Sequence, residues 1–219
     1  MFTVFLFLYL FTTSLFSVYC NYKAKKLFYV AKILPIVGLV ISLFIIMIFK
    51  NKFSVFNFLI LFGLLIGAVG DIFIINKKTF IFGLCAFLIT HILYVVGFNY
   101  DGFSLSIGTN LLIPIISTSL IFTLFITYKM IHGEDKNLII PVWVYVLVIN
   151  LMVISSIGFT LNNNFKNYFF IIGSISFYIS DAILSLKTFI TKDLGILQIF
   201  ILSFYYLAQS FIFLGAINI

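Results

Sequence analysis

Eight long apolar stretches, each about 20 residues and parted by short polar turns, constrain this chain more than any other feature. They fall near 2–20, 28–49, 53–75, 79–99, 104–128, 138–159, 167–190 and 194–217. A helix of about 20 residues spans the roughly 30 Å of a bilayer core. In hydrocarbon every backbone N–H and C=O must be bonded within the protein, and a helix achieves this inside one segment. With 63% hydrophobic and 9% charged residues among 219, no separate soluble domain is expected. The expected class is all-α: a polytopic membrane protein with eight transmembrane helices in one domain, residues 1–219. The first stretch lacks a basic leader and a small-residue cleavage site, so it reads as a retained helix.

All 13 basic residues are lysines. Lys23, Lys25, Lys26, Lys77, Lys78, Lys129, Lys136, Lys187 and Lys192 follow the odd-numbered stretches; only Lys50, Lys52 and Lys166 lie on the other side. The positive-inside bias then puts the first set in the cytoplasm and both termini outside. The compact chain reads as a protein of a bacterial cytoplasmic membrane. Scattered lysines make no nucleic-acid surface. Cys20 and Cys85 have no metal-ligand spacing, so neither metal nor cofactor is expected. Stretches 3–4 and 7–8 share a plan: a small-residue helix with a deep aspartate, a lysine-bearing turn, then a helix with polar groups. That plan points to a tandem four-helix repeat of parallel orientation.

The costly residues are those inside the stretches. In "LLIGAVGDIFIIN" (64–76), Asp71 shares one helix face with Gly63 and Gly67. In "SISFYISDAILSL" (174–186), Asp181 lies in a stripe with Ser174, Tyr178 and Ser185. Small residues mark close helix packing, so both carboxyls should face the bundle interior. Lys32 enters the second stretch from the same side, either snorkelling outward or joining them. His91 and Tyr94 on the fourth helix, and Tyr205, Tyr206 and Gln209 on the eighth, read either as interhelical hydrogen bonds or as pocket-lining groups. Trp143 reads as an interfacial anchor.

Two nearby carboxyls of low dielectric surroundings cannot both ionise cheaply, so one acid and one anion are expected. Such a pair suits reactions through an oxocarbenium ion, and equally peptide hydrolysis by an activated water.

The segments "AKILPIVGL", "GLLIGAVGDIFI", "FIFGLCAFLITHILYVVGF", "GSISFYISDAIL" and "FYYLAQSFIFLGA" occur in this order within residues 28–216. In them the chain resembles the YhhN/TMEM86 family, the lysoplasmalogenases. The resemblance implies cleavage of the vinyl ether bond of a lysoplasmalogen lipid substrate to a fatty aldehyde and glycerophosphoethanolamine or glycerophosphocholine. It implies Asp71 and Asp181 as catalytic groups, with Asp181 preferred as the acid. Lys32 would attract the phosphate or hold one aspartate ionised; His91, Tyr94, Tyr205, Tyr206 and Gln209 would line the pocket or orient water. An intramembrane aspartyl protease is one alternative, though the Gly-Asp comes first here and no Pro-Ala-Leu occurs. A proton-coupled transporter is another, though Pro35, Pro114 and Pro141 do not pair between halves.

Overall fold

The computed structural model describes residues 2–100, 109–133, 135–163, 167–191 and 195–219. The expected starts of the fifth and eighth helices, 104 and 194, together with Lys166 and Lys192, lie outside the described residues. The helices are α1 (Phe2–Lys23), α2 (Lys25–Phe49), α3 (Val55–Phe73), α4 (Phe80–Phe98), α5 (Thr109–Ile131), α6 (Ile139–Asn162), α7 (Phe169–Leu186) and α8 (Gly195–Ile217). All eight are long and apolar enough to cross a membrane, and the described residues contain no strand. A short 3₁₀ turn, Lys136–Leu138, leads into α6, and α7 continues as a π turn, Lys187–Thr191.

Local chemistry sets the helix ends. Asn51 takes a positive φ of 49° between α2 and α3, a region that Asn tolerates better than most residues. Ser54 then caps α3 by accepting from the Asn57 N–H at 3.1 Å. Between α3 and α4, the Thr79 hydroxyl donates to the Phe73 carbonyl at 2.8 Å, closing a tight antiparallel turn.

Two antiparallel pairs, α3 with α4 and α7 with α8, form the centre. Helix α2 packs on α3 and α8, and α6 packs on α7 and α4. Exchanging the two halves of the chain maps the α2–α8 contact onto the α6–α4 contact. Helices α1 and α5 lie outside: α1 on α2 and α8, α5 on α6 and the π turn. On α3 the face with Gly63, Gly67 and Asp71 is buried, while Phe62, Leu65, Val69 and Ile72 are exposed. This is the division expected when the outer face meets lipid and the inner face meets other helices.

Glycine sets how closely the central pairs approach. A Cβ on Gly63 would overlap the Tyr94 ring. One on Gly173 would sit 2.8 Å from Ile212 Cγ1 and 3.1 Å from the Ala208 carbonyl oxygen. Phe56, Phe98, Phe159 and Phe170 pack together at one end of the bundle, with Phe98 and Phe170 centroids 5.0 Å apart. This aromatic plug leaves the opposite end, where the lysine-bearing turns lie, as the way in.

Gly173→Val should therefore cost about 1–3 kcal/mol through overpacking of α7 against α8. Thermal unfolding in detergent should show a lower midpoint, whereas Val69→Ala on the lipid-facing side should leave it nearly unchanged.

Candidate active site

Asp71 is completely buried near the end of α3. Lys32 Nζ from α2 lies 3.0 Å from its Oδ1, and the Tyr205 hydroxyl from α8 donates to its Oδ2 at 2.7 Å. A second layer holds these partners. The Tyr94 hydroxyl donates to Gln209 Oε1 at 2.8 Å, and Gln209 Nε2 donates to the Tyr205 oxygen at 3.4 Å. The Lys32 carbonyl accepts from the Tyr206 hydroxyl at 3.1 Å, and Tyr206 shares a 2.7 Å hydrogen bond with Ser17 of α1. Lys32 is buried and turned inward to the carboxylate; it does not snorkel.

Asp181 on α7 has different company. The Tyr145 hydroxyl from α6 donates to Oδ2 at 2.5 Å, and His91 Nε2 from α4 lies 3.3 Å from the same oxygen. His91 Nε2 is also 2.8 Å from the Tyr145 hydroxyl. The fully buried His91 Nδ1 has no hydrogen-bond partner. All the polar contacts of the ring therefore run through Nε2, to Tyr145 and to Asp181. The ring edge packs on Phe177 at 4.6 Å between centroids, which fixes its orientation. Among the described residues no lysine forms an ion pair with Asp181.

The two carboxyls thus occupy equivalent frames with unequal chemistry. Each is held by the helix before its own and by the last helix of the other half: α2 and α8 for Asp71, α6 and α4 for Asp181. Lysine and tyrosine meet the first; tyrosine and histidine meet the second. No hydrogen bond joins the two. Their difference arises from their partners rather than from a proton shared between them.

Both line one cavity of about 670 Å³. Lys32 and Tyr205 line it too, and Lys77, Asp135 and Lys187 stand towards its mouth on the turns that follow the odd-numbered helices. His91, Tyr94, Tyr206 and Gln209 stand behind the wall and fix the groups that do line it. The Asp181 side chain keeps 13% of its surface accessible against 0% for Asp71, so Asp181 is the carboxyl a ligand can touch.

Sequence reasoning missed Tyr145. It sits in "VWVYVLVIN", two residues after Trp143. Trp143 in fact donates its indole N–H to Thr127 of α5 at 3.0 Å, tying α5 to α6. The available signal was the first hydroxyl of α6, set in the apolar opening turns six residues past its start, roughly 9 Å along the helix. Among the described residues no group of three or more His, Cys, Asp or Glu is placed to hold a metal ion.

Membrane-length helices around a polar cavity, with two differently partnered carboxyls in its wall, define an integral multi-pass membrane protein with ionisable groups on an internal cavity. This chain belongs to the YhhN family, whose sequence model matches residues 27–216. It is 29% identical over 161 residues to a "Lysoplasmalogenase homolog" of Dictyostelium discoideum, covering 69% of this chain and 53% of that one. It is 25% identical over 156 residues to "Lysoplasmalogenase TMEM86B" of Mus musculus, covering 71% and 62%. The rat protein of the same name is 25% identical over 151 residues, covering 69% and 58%. The chain thus spans between about half and three-fifths of the length of these relatives. No solved structure matches it.

Lys32→Met alone strands a buried carboxylate and should cost about 3–5 kcal/mol, whereas the double change Lys32→Met with Asp71→Leu should recover much of that loss. Unfolding midpoints of wild type, both single variants and the double variant, compared as a cycle, measure the coupling.

Proposed function

We propose that this protein hydrolyses the vinyl ether bond of lysoplasmalogens, releasing a fatty aldehyde and glycerophosphoethanolamine or glycerophosphocholine. The observation that carries this reading is the unequal partnering of two carboxyls on one cavity. Asp71 is held as an anion by Lys32. Among the described residues Asp181 bonds Tyr145 and His91 through Oδ2, and its Oδ1 takes no part in either contact. A carboxyl with neutral donors on one oxygen and the cavity before the other is arranged to carry a proton and deliver it. The relatives named lysoplasmalogenase support the choice of substrate.

In this mechanism Asp181 gives its proton to the vinyl carbon β to the ether oxygen. The C=C pair becomes the new C–H bond, and an oxygen lone pair delocalises to form an oxocarbenium ion. The Asp181 carboxylate, steadied by the Tyr145 hydroxyl and the His91 N–H, then lies beside that cation and stabilises it. Water adds to the cationic carbon and loses a proton to Asp181, which restores the acid. The hemiacetal breaks its C–O bond, leaving the aldehyde and the glycerol hydroxyl. The attacking water would come from the polar cavity, whose wall is ordered by Asp71 through its contacts with Lys32 and Tyr205.

The head-group phosphate would lie at the mouth near Lys77 and Lys187, whose ammonium also donates to Gln198 Oε1 at 2.5 Å. The mouth is built from the lysine-rich turns, so the positive-inside bias supports a cytoplasmic opening and both termini outside. Substrate would then come from the cytoplasmic leaflet.

Aldehyde release from a defined lysoplasmalogen by purified protein in detergent tests the proposal. Asp181→Asn should reduce turnover by about 10²–10⁴-fold, the usual contribution of a positioned acid. Tyr145→Phe should lower kcat more than it changes KM, by about tenfold, through loss of one donor to the carboxylate. Turnover in detergent also separates hydrolysis from transport, which needs two compartments. A folded wild-type protein inactive on both head groups would overturn the assignment.

A further inference from the structure

The apolar interior is divided in two. One large cluster fills the centre, and a smaller one, built on Ile126, Met130, Val142 and Phe189, lies between α5, α6 and the π turn. Between them runs a narrow slot of about 60 Å³. Its walls include Leu84 of α4, Phe122 and Thr123 of α5, Val146 and Ile149 of α6, and Tyr178 of α7. Asp181, with Ile74, Phe80, Phe87 and Leu184, lines both this slot and the polar cavity, and among the described residues it is the polar side chain that the two compartments share.

The slot continues into the membrane beyond the acid. Helix α6 runs inward from the mouth, and Tyr145 marks the level of Asp181 by their hydrogen bond. Ile149, one turn further, is about 6 Å deeper at 1.5 Å per residue. Helix α5 packs on α6 and the π turn rather than extensively on α4, and Phe122 is half-buried at that seam. The slot therefore approaches the bilayer between α4 and α5.

We propose that this slot seats the first methylenes of the substrate's hydrocarbon chain, next to the ether linkage, and that the rest of the chain stays in the bilayer, leaving between α4 and α5. The reacting bond lies at Asp181 and the head group in the polar cavity. The identity of the chain rests on the proposed vinyl ether hydrolysis. The argument is geometric: a lysolipid changes from polar to apolar at its ether linkage, and this site changes from polar to apolar at Asp181. Moving a chain from lipid into the slot exchanges one apolar surrounding for another, so there is little hydrophobic gain. The slot acts by orientation, placing the double bond against the acid.

The test uses a saturated 1-O-alkyl lysophospholipid, which has no vinyl ether to cleave, with a photoactivatable diazirine a few carbons from the ether oxygen. Irradiated with the full-length protein in detergent and mapped by mass spectrometry, it should label Thr123, Val146 or Ile149. Excess unlabelled alkyl lysolipid should suppress that labelling. Ile149→Trp, which fills the deep end, should reduce it by about fivefold or more through a direct clash. Adducts confined to lipid-facing positions such as Ile121 and Leu124 would overturn the proposal. Labelling within the slot by a protein that releases no aldehyde from the vinyl ether lipid would uphold the chain site and overturn the hydrolysis instead.

Discussion

A charge inside hydrocarbon must be neutralised where it stands, and the ion pair between Lys32 and Asp71 is the constraint on which the rest of this bundle depends. Taking both ions out of water carries a penalty of several kcal/mol each, met only when geometry is good and remaining polar atoms are bonded. Tyr205 bonds the second carboxylate oxygen, Gln209 bonds Tyr205, and Tyr94 bonds Gln209. The network draws α2, α3, α4 and α8 to one place. Helices α1 and α5, which supply neither charge nor a direct partner to either carboxyl, lie at the periphery with many large side chains facing outward.

The second carboxyl shows what the same frame does without a cation. Asp181 receives one helix from its own half and one from the other, as Asp71 does, but they bring a phenol and an imidazole. One position is thereby closed by an ion pair in the cavity wall. The other keeps one carboxyl oxygen outside both of its contacts. The different company of the two aspartates follows from the identity of residues on α2, α4, α6 and α8, not from the aspartates themselves.

The environment completes the asymmetry. Four phenylalanines close one end of the bundle, and the lysine-bearing turns frame the other. A polar cavity and an apolar slot then share Asp181. An amphiphile is the class of ligand whose own polarity changes over the same distance, and a site on α7 with half-buried flanks on both sides can meet it at that boundary.

The sequence by itself determined the helix count, the inward faces and the two aspartates, because apolar length and small-residue spacing are properties of one segment at a time. It also marked Lys32, Tyr205 and Gln209 as unusual, though not what each would touch. The partners came from elsewhere: Tyr205 is 134 residues from Asp71, Tyr145 is 36 from Asp181, and His91 is 90 from it. Whether Lys32 turned outward or inward, why Tyr145 mattered, and which residues stood behind the cavity wall were decided by tertiary structure alone. Helix crossings and side-chain rotamers bring those groups within 3 Å or so, and no periodicity along the chain encodes a contact between helices so far apart in it.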